Sequence, residues 1–148
     1  MNTHPSLRAF LAGTFVPTLI LPLMLTGFLL LRVAMQAPFP FERGLVFPLA
    51  LVPALWGAWN ILWLVSHART HLPVGLHGAL LPLLLAPGGA LVASCLGILK
   101  LGQYGVTWFQ TWQVPYALIV PLFLAALVAY YLAWKYIVGF VNRVLGIA

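Results

Sequence analysis

Three histidines, His67, His71 and His77, form the densest set of metal-competent side chains in the chain. His67 and His71 are four apart, so they share one face of any helix that runs through both. His77 opens the next apolar run and can approach them across a short loop. Neutral imidazoles suit zinc, copper or haem iron. A zinc site wants a third or fourth ligand, and no carboxylate or thiol lies on this side of the sequence. A haem would take two histidines from facing helices, but Pro73 and the tight loop hold those helix ends close together. The competing reading makes them interfacial histidines beside Arg69, touching lipid phosphate. The second reading is favoured. Haem or a metal ion therefore stays open as a cofactor, with none the expected outcome.

Asn60 is the one strongly polar side chain deep in an apolar run, within Trp56-Gly57-Ala58-Trp59-Asn60. An amide in that setting bridges to a neighbouring helix or, less often, meets a ligand. Glu42 is the only acidic residue, and Arg43 follows it. A lone carboxylate can carry a proton or pair with Arg43, Arg32 or Lys100. It cannot make a two-carboxylate hydrolase or an acidic metal site. Gln103, Trp108, Gln110 and Trp112 set amides beside aromatic rings, as do Gln36, Phe39, Phe41 and Glu42 in an earlier loop. Such a set can hold a polar headgroup by hydrogen bonds and stacking. It equally suits an amphipathic segment lying on a membrane, which is the preferred reading. Cys95 is the single cysteine, inside an apolar run, so no intramolecular disulfide and no CxxC pair exist. Neither a Walker loop nor GxSxG occurs, and the serines have no triad context.

The elements that must carry these residues are read from composition. Hydrophobic residues make up 64% of the 148-residue chain and charged residues 5%. A soluble domain carries roughly 25% charged residues, because its surface faces water. Lipid must cover most of this one. Four runs reach the roughly 20 apolar residues that a spanning helix needs: about 10–31, 46–66, 78–99 and 114–137. The expected fold is all-α, a single transmembrane domain over residues 1–148, with four helices in an up-down bundle. Each run carries a proline pair: Pro17 and Pro22, Pro48 and Pro53, Pro82 and Pro87, Pro115 and Pro121. An interior proline removes one backbone hydrogen bond and bends a helix. Pro87-Gly88-Gly89 is the strongest candidate for a break or hinge. Thr14 and Thr18 are placed to help around Pro17 and Pro22.

The net charge is +6. The cations sit singly at the ends of apolar runs, without the basic stripe that nucleic acid requires. They act instead as topology signals. Arg8, Arg69, Lys135 and Arg143 fall on one side, which the positive-inside rule makes cytoplasmic, together with both termini. Arg69, His71, Lys135 and Arg143 are then the expected lipid-phosphate contacts. The expected location is the bacterial cytoplasmic membrane. The expected partners are membrane lipids and either other membrane subunits or further copies of the chain, with no nucleic acid. The chemistry left over favours a non-catalytic subunit or assembly factor of a larger membrane complex. A small oligomeric transporter, channel or lipid binder is the alternative, and a haem or metal protein the third reading.

Overall fold

The computed structural model describes residues 4–36 and 47–147, with side chains from residue 49 onward in the second stretch. Glu42 and Arg43 lie outside the described residues, as do Phe39 and Phe41. The chain runs through α1 (Pro5–Met35), a short α2 (Phe47–Ala50), α3 (Val52–Thr70) and α4 (Val74–Cys95). A three-stranded sheet follows: β1 (Leu99–Leu101), β2 (Gly105–Trp108) and β3 (Trp112–Pro115). The last long helix is α5 (Tyr116–Leu132), which continues through a π-helical turn (Ala133–Val138) into α6 (Gly139–Val144).

Three helical stretches are long and apolar enough to cross a membrane: Pro5–Met35, Val74–Cys95 and Tyr116–Val144. They correspond to three of the four expected spans. The remaining span corresponds to α2 and α3, separated by a turn at Leu51. α3 is not apolar enough to count with the other three, because its 19 residues include Asn60, Ser66, His67, Arg69 and three tryptophans. The helices pair as two antiparallel hairpins. In the first, Asn60 of α3 reaches Ala9 of α1, and Gly13 of α1 lies against Trp56. In the second, Gly75 and Gly78 of α4 lie against Tyr131 and Trp134. The end of the bundle holding both Arg8 and Leu145 is called the terminus end below.

The all-α expectation is corrected by the sheet. Strand order is β1-β2-β3, antiparallel throughout, with Leu99 opposite Trp108 and Trp108 opposite Trp112. α4 stops at Cys95, not at residue 99, because Gly97 takes the left-handed conformation (φ 69°). There Gly97 N–H donates to Ser94 O and Ile98 N–H to Ala93 O, which satisfies the open carbonyls at the helix end. The expected break at Pro87-Gly88-Gly89 does not occur, since α4 is helical from Val74 to Cys95. The other prolines inside α1 and α5 are likewise accommodated without interrupting the helix. Thr14 and Thr18 do donate to backbone, but to Leu11 O (2.9 Å) and Thr14 O (2.6 Å). The carbonyls that Pro17 and Pro22 leave without donors are those of Gly13 and Thr18.

The core sits at the terminus end. Val16, Trp56, Leu81, Trp134 and Val138 form its buried centre, with Val52, Trp59, Val74, Leu85, Tyr130 and Ala133 packed around it. Lipid tails are as apolar as leucine, so hydrophobicity alone does not drive helices together in a bilayer. Close approach and hydrogen bonding must do so, and both are visible here. A Cβ on Gly13 would lie 2.5 Å from Trp56 O and 2.9 Å from Asn60 Cβ. One on Gly57 would lie 2.6 Å from the Phe10 ring, and one on Gly78 would collide with Trp134. Glycine lets the helices meet at these crossings.

Candidate functional site

Two buried asparagines and a buried histidine of the helices gather at the terminus end. Asn60 and Asn142, both fully enclosed by protein, form a reciprocal amide pair. Asn60 Nδ2 donates to Asn142 Oδ1 at 2.8 Å, and Asn142 Nδ2 donates to Asn60 Oδ1 at 3.1 Å. The second Asn60 proton goes to Ala9 O at 2.7 Å. One amide therefore ties α3 to α1 and to α6. Nearby, Arg8 donates to Leu145 O at 2.8 Å, which closes the N-terminal helix against the end of α6. These groups are worth most where water cannot replace them.

The π-helical turn explains how Asn142 reaches this point. In a regular helix Asn142 would stand roughly 80° round from Trp134, eight residues earlier. One extra residue in a π turn shifts the register by roughly 100°. Asn142 then comes back to the side of Trp134 and Val138, facing α3. Trp134 and Val138 are both fully buried, as Asn142 is.

A second reciprocal pair joins α3 to α4. Trp59 Nε1 donates to His77 O at 2.8 Å, and His77 Nε2 donates to Trp59 O at 3.0 Å. The two rings stack with centroids 4.7 Å apart. One turn further along α3, Trp63 stacks on His67 at 4.7 Å, and Trp63 Nε1 donates to Leu72 O at 3.1 Å. His67 Nδ1 donates to Leu64 O at 2.9 Å. Carbonyls only accept, so each of these two imidazoles carries its proton on the nitrogen named. Trp56 completes the row, in ring contact with Tyr130 (5.0 Å) and Trp134 (5.3 Å). The indole N–H groups of Trp56 and Trp134 are buried without an acceptor. Their rings serve as apolar packing.

The three histidines thus occupy separate places. His77 is buried against Trp59, and His67 lies half-buried against Trp63. His71 ends α3 with a left-handed backbone (φ 51°), its N–H donating to His67 O and its side chain exposed. Among the described residues, no three His, Cys, Asp or Glu side chains converge to hold a metal ion. Arg69, Lys135 and Arg143 are exposed. The Lys135 ammonium lies 5.5 Å from the Tyr131 ring centroid and 5.2 Å from that of Tyr136. Such contacts hold a cation at the level where aromatic rings gather.

The amide and aromatic residues at the other end belong to the sheet. Trp108 lies in β2 and Trp112 in β3, while Gln103 and Gln110 occupy the two turns and are exposed. Asn60 lies at the opposite end, so the structure does not bring it together with these four. Pro87, Gly88 and Gly89 are exposed, and neither glycine has an atom within 4 Å of where a Cβ would stand. Asn142, Trp59, Trp63 and Arg8 escape the sequence reading as bridging groups. The tryptophan spacing 56, 59, 63 along one helix was the signal available for two of them. No protein-family model, curated protein or solved structure matches the chain.

Proposed function

We propose that the protein is a non-catalytic subunit or stabilising factor of a larger membrane complex. The observation that carries this reading is the contrast between its two ends. At the terminus end, Asn60, Asn142, Trp59, Trp63 and His77 are committed to internal hydrogen bonds. At the other end, α1, α4 and α5 present long apolar walls that stand exposed among the described residues: Leu30, Leu91 and Leu122 are 63, 67 and 62% exposed. Gly27, Gly88 and Gly89 leave open space where another helix backbone could approach closely. Bends at the interior prolines would shape these walls to a partner.

In this reading the protein lies in a bacterial cytoplasmic membrane with both termini on the cytoplasmic side. Arg69, Lys135 and Arg143 support that orientation, with His71 beside them at the lipid phosphate level. The test is gentle detergent extraction followed by native mass measurement. Other membrane subunits are expected at a fixed stoichiometry. Recovery of the isolated chain alone would overturn the proposal. Recovery of a closed homo-oligomer would favour a small transporter or channel instead.

A further inference from the structure

We infer that the sheet between α4 and α5 is an amphipathic β-platform that lies in the lipid headgroup layer at the end opposite the termini. Side chains directly opposite one another in an antiparallel sheet share a face. The register places Leu99, Trp108 and Trp112 in one row, and Leu101, Val106 and Val114 in the row two residues along. All six are apolar and point to the same side. The row between them is Lys100, Thr107 and Gln113, and it points to the other side. No polar residue interrupts the first face and no large apolar one interrupts the second.

The apolar face has a covered centre and an exposed rim. Leu99 and Val106 are each 6% exposed, whereas Leu101 is 71% exposed at one edge and Trp112 52% at the other. Water would penalise such a rim, and a water-facing loop would carry polar residues there. The occupant that fits is lipid, for three reasons. The sheet is joined directly to the exposed apolar walls of α4 and α5, through Leu96 (59%) and Leu118 (53%). Tyr104 (79%) and Tyr116 (36%) stand beside it, and amphipathic rings prefer the headgroup level. The opposite face offers one ammonium, one hydroxyl and one amide, groups that can bond phosphate and water. A bond from the Tyr116 hydroxyl to Gly102 O (3.0 Å) and one from Tyr116 N–H to Tyr104 O (3.1 Å) fix the platform to the first turn of α5. This inference rests on the membrane-spanning character of α4 and α5 but not on the proposed subunit role.

The test uses single-cysteine variants of the full chain with Cys95→Ala, purified and reconstituted into phospholipid vesicles without other protein. A bimane label is placed in turn by Lys100→Cys, Leu101→Cys, Trp112→Cys and Gln113→Cys. Brominated lipids and aqueous iodide are the two quenchers. The expected result alternates at single-residue steps: at 101 and 112, quenching by shallow brominated lipid exceeds that at 100 and 113 by about twofold or more, and iodide reverses the order. Equal iodide quenching at both members of each step would overturn the proposal, because the sheet would then stand clear of the bilayer. So would protection of Leu101→Cys from a water-soluble thiol reagent in native membranes but not in these vesicles, since a protein would then be the cover. A Leu91→Cys label separates the two levels of the argument. Its quenching by deep brominated lipid tests the spanning of α4, and its failure there would sink that premise rather than the geometry of the sheet.

Discussion

Asn60, Asn142, Trp134 and Val138 are wholly enclosed by protein, while Leu30, Leu91 and Leu122, in helices that reach the same core, are 62–67% exposed. What differs is whether the glycines meet a neighbouring helix and whether polar groups find partners. At the terminus end, Gly13, Gly57, Gly75 and Gly78 each sit under a neighbouring side chain or backbone. At the other end, Gly27, Gly88 and Gly89 sit under nothing. In a lipid solvent, close contact and paired polar groups hold helices together, and apolar surface alone does not. One end is closed by those means, and at the other the described residues leave apolar surface exposed.

Substitutions can break this contrast directly. The largest effect is expected from Gly78→Ala, whose Cβ would collide with the fully buried Trp134 ring. The loss of stability is about 3 kcal/mol, read from denaturant titration in mixed micelles. Gly88→Ala, in the same helix, should be neutral or stabilising by up to about 1 kcal/mol, because alanine is the better helix former. Equal damage at both positions would remove the distinction between the two ends.

Next comes Asn60→Leu, which leaves the buried Asn142 amide without its partner. It should cost about 2 kcal/mol. Asn142→Leu should behave alike. The double variant should cost less than the two single losses together, with a coupling of about 0.6–1.7 kcal/mol. Strict additivity would show that the amide pair is not an energetic unit. A smaller loss, about 1 kcal/mol, is expected for Arg8→Met, which keeps the aliphatic stem but removes the bond to Leu145 O. Hydrogen exchange of amides 143–147 should quicken in that variant while those of α4 stay unchanged. The smallest effects belong to Leu91→Ala and Leu122→Ala, within about 0.5 kcal/mol of the parent. Their consequence should appear only as weaker recovery of partner subunits after gentle extraction.

The sequence made α1, α4 and the stretch from α5 through α6 legible for a simple reason: each holds a long apolar run with length enough to cross a bilayer. α3 was legible as a helix but is less apolar than a free-standing span, and its polar side chains make sense only against the other hairpin. The Asn142 partner was not readable. It lies beyond the expected end of the last span, and only the π turn brings it round to Asn60. The sheet left a fainter trace. Leu99-Lys100-Leu101, Val106-Thr107-Trp108 and Trp112-Gln113-Val114 alternate apolar and polar residues, but each run is too short to outweigh the surrounding hydrophobicity. The tight turn that joins β2 to β3 was further disguised. It places Phe109 and Gln110 at φ 50° and 60°, where glycine or asparagine is the usual signal. The two tryptophan–histidine stacks differ in legibility: Trp63 and His67 are four apart on α3, a spacing the sequence shows, whereas Trp59 and His77 meet from different helices, which no fixed spacing announces.

The bonds from Asn60 to Asn142 and from Arg8 to Leu145 also set an order of events during synthesis. Asn142 follows Asn60 by 82 residues, which takes roughly 4–16 s at ordinary rates of chain growth. Until residues 142–145 are made, the first hairpin carries an amide and a guanidinium still awaiting those partners. A ribosome that stalled in α5 would release a chain with that polar seam open to the bilayer, where a folding factor or a membrane protease could read it. Arrival of residues 142–145 hides the seam, so the last turn of helix dates the moment at which the protein ceases to look unfinished to the cell.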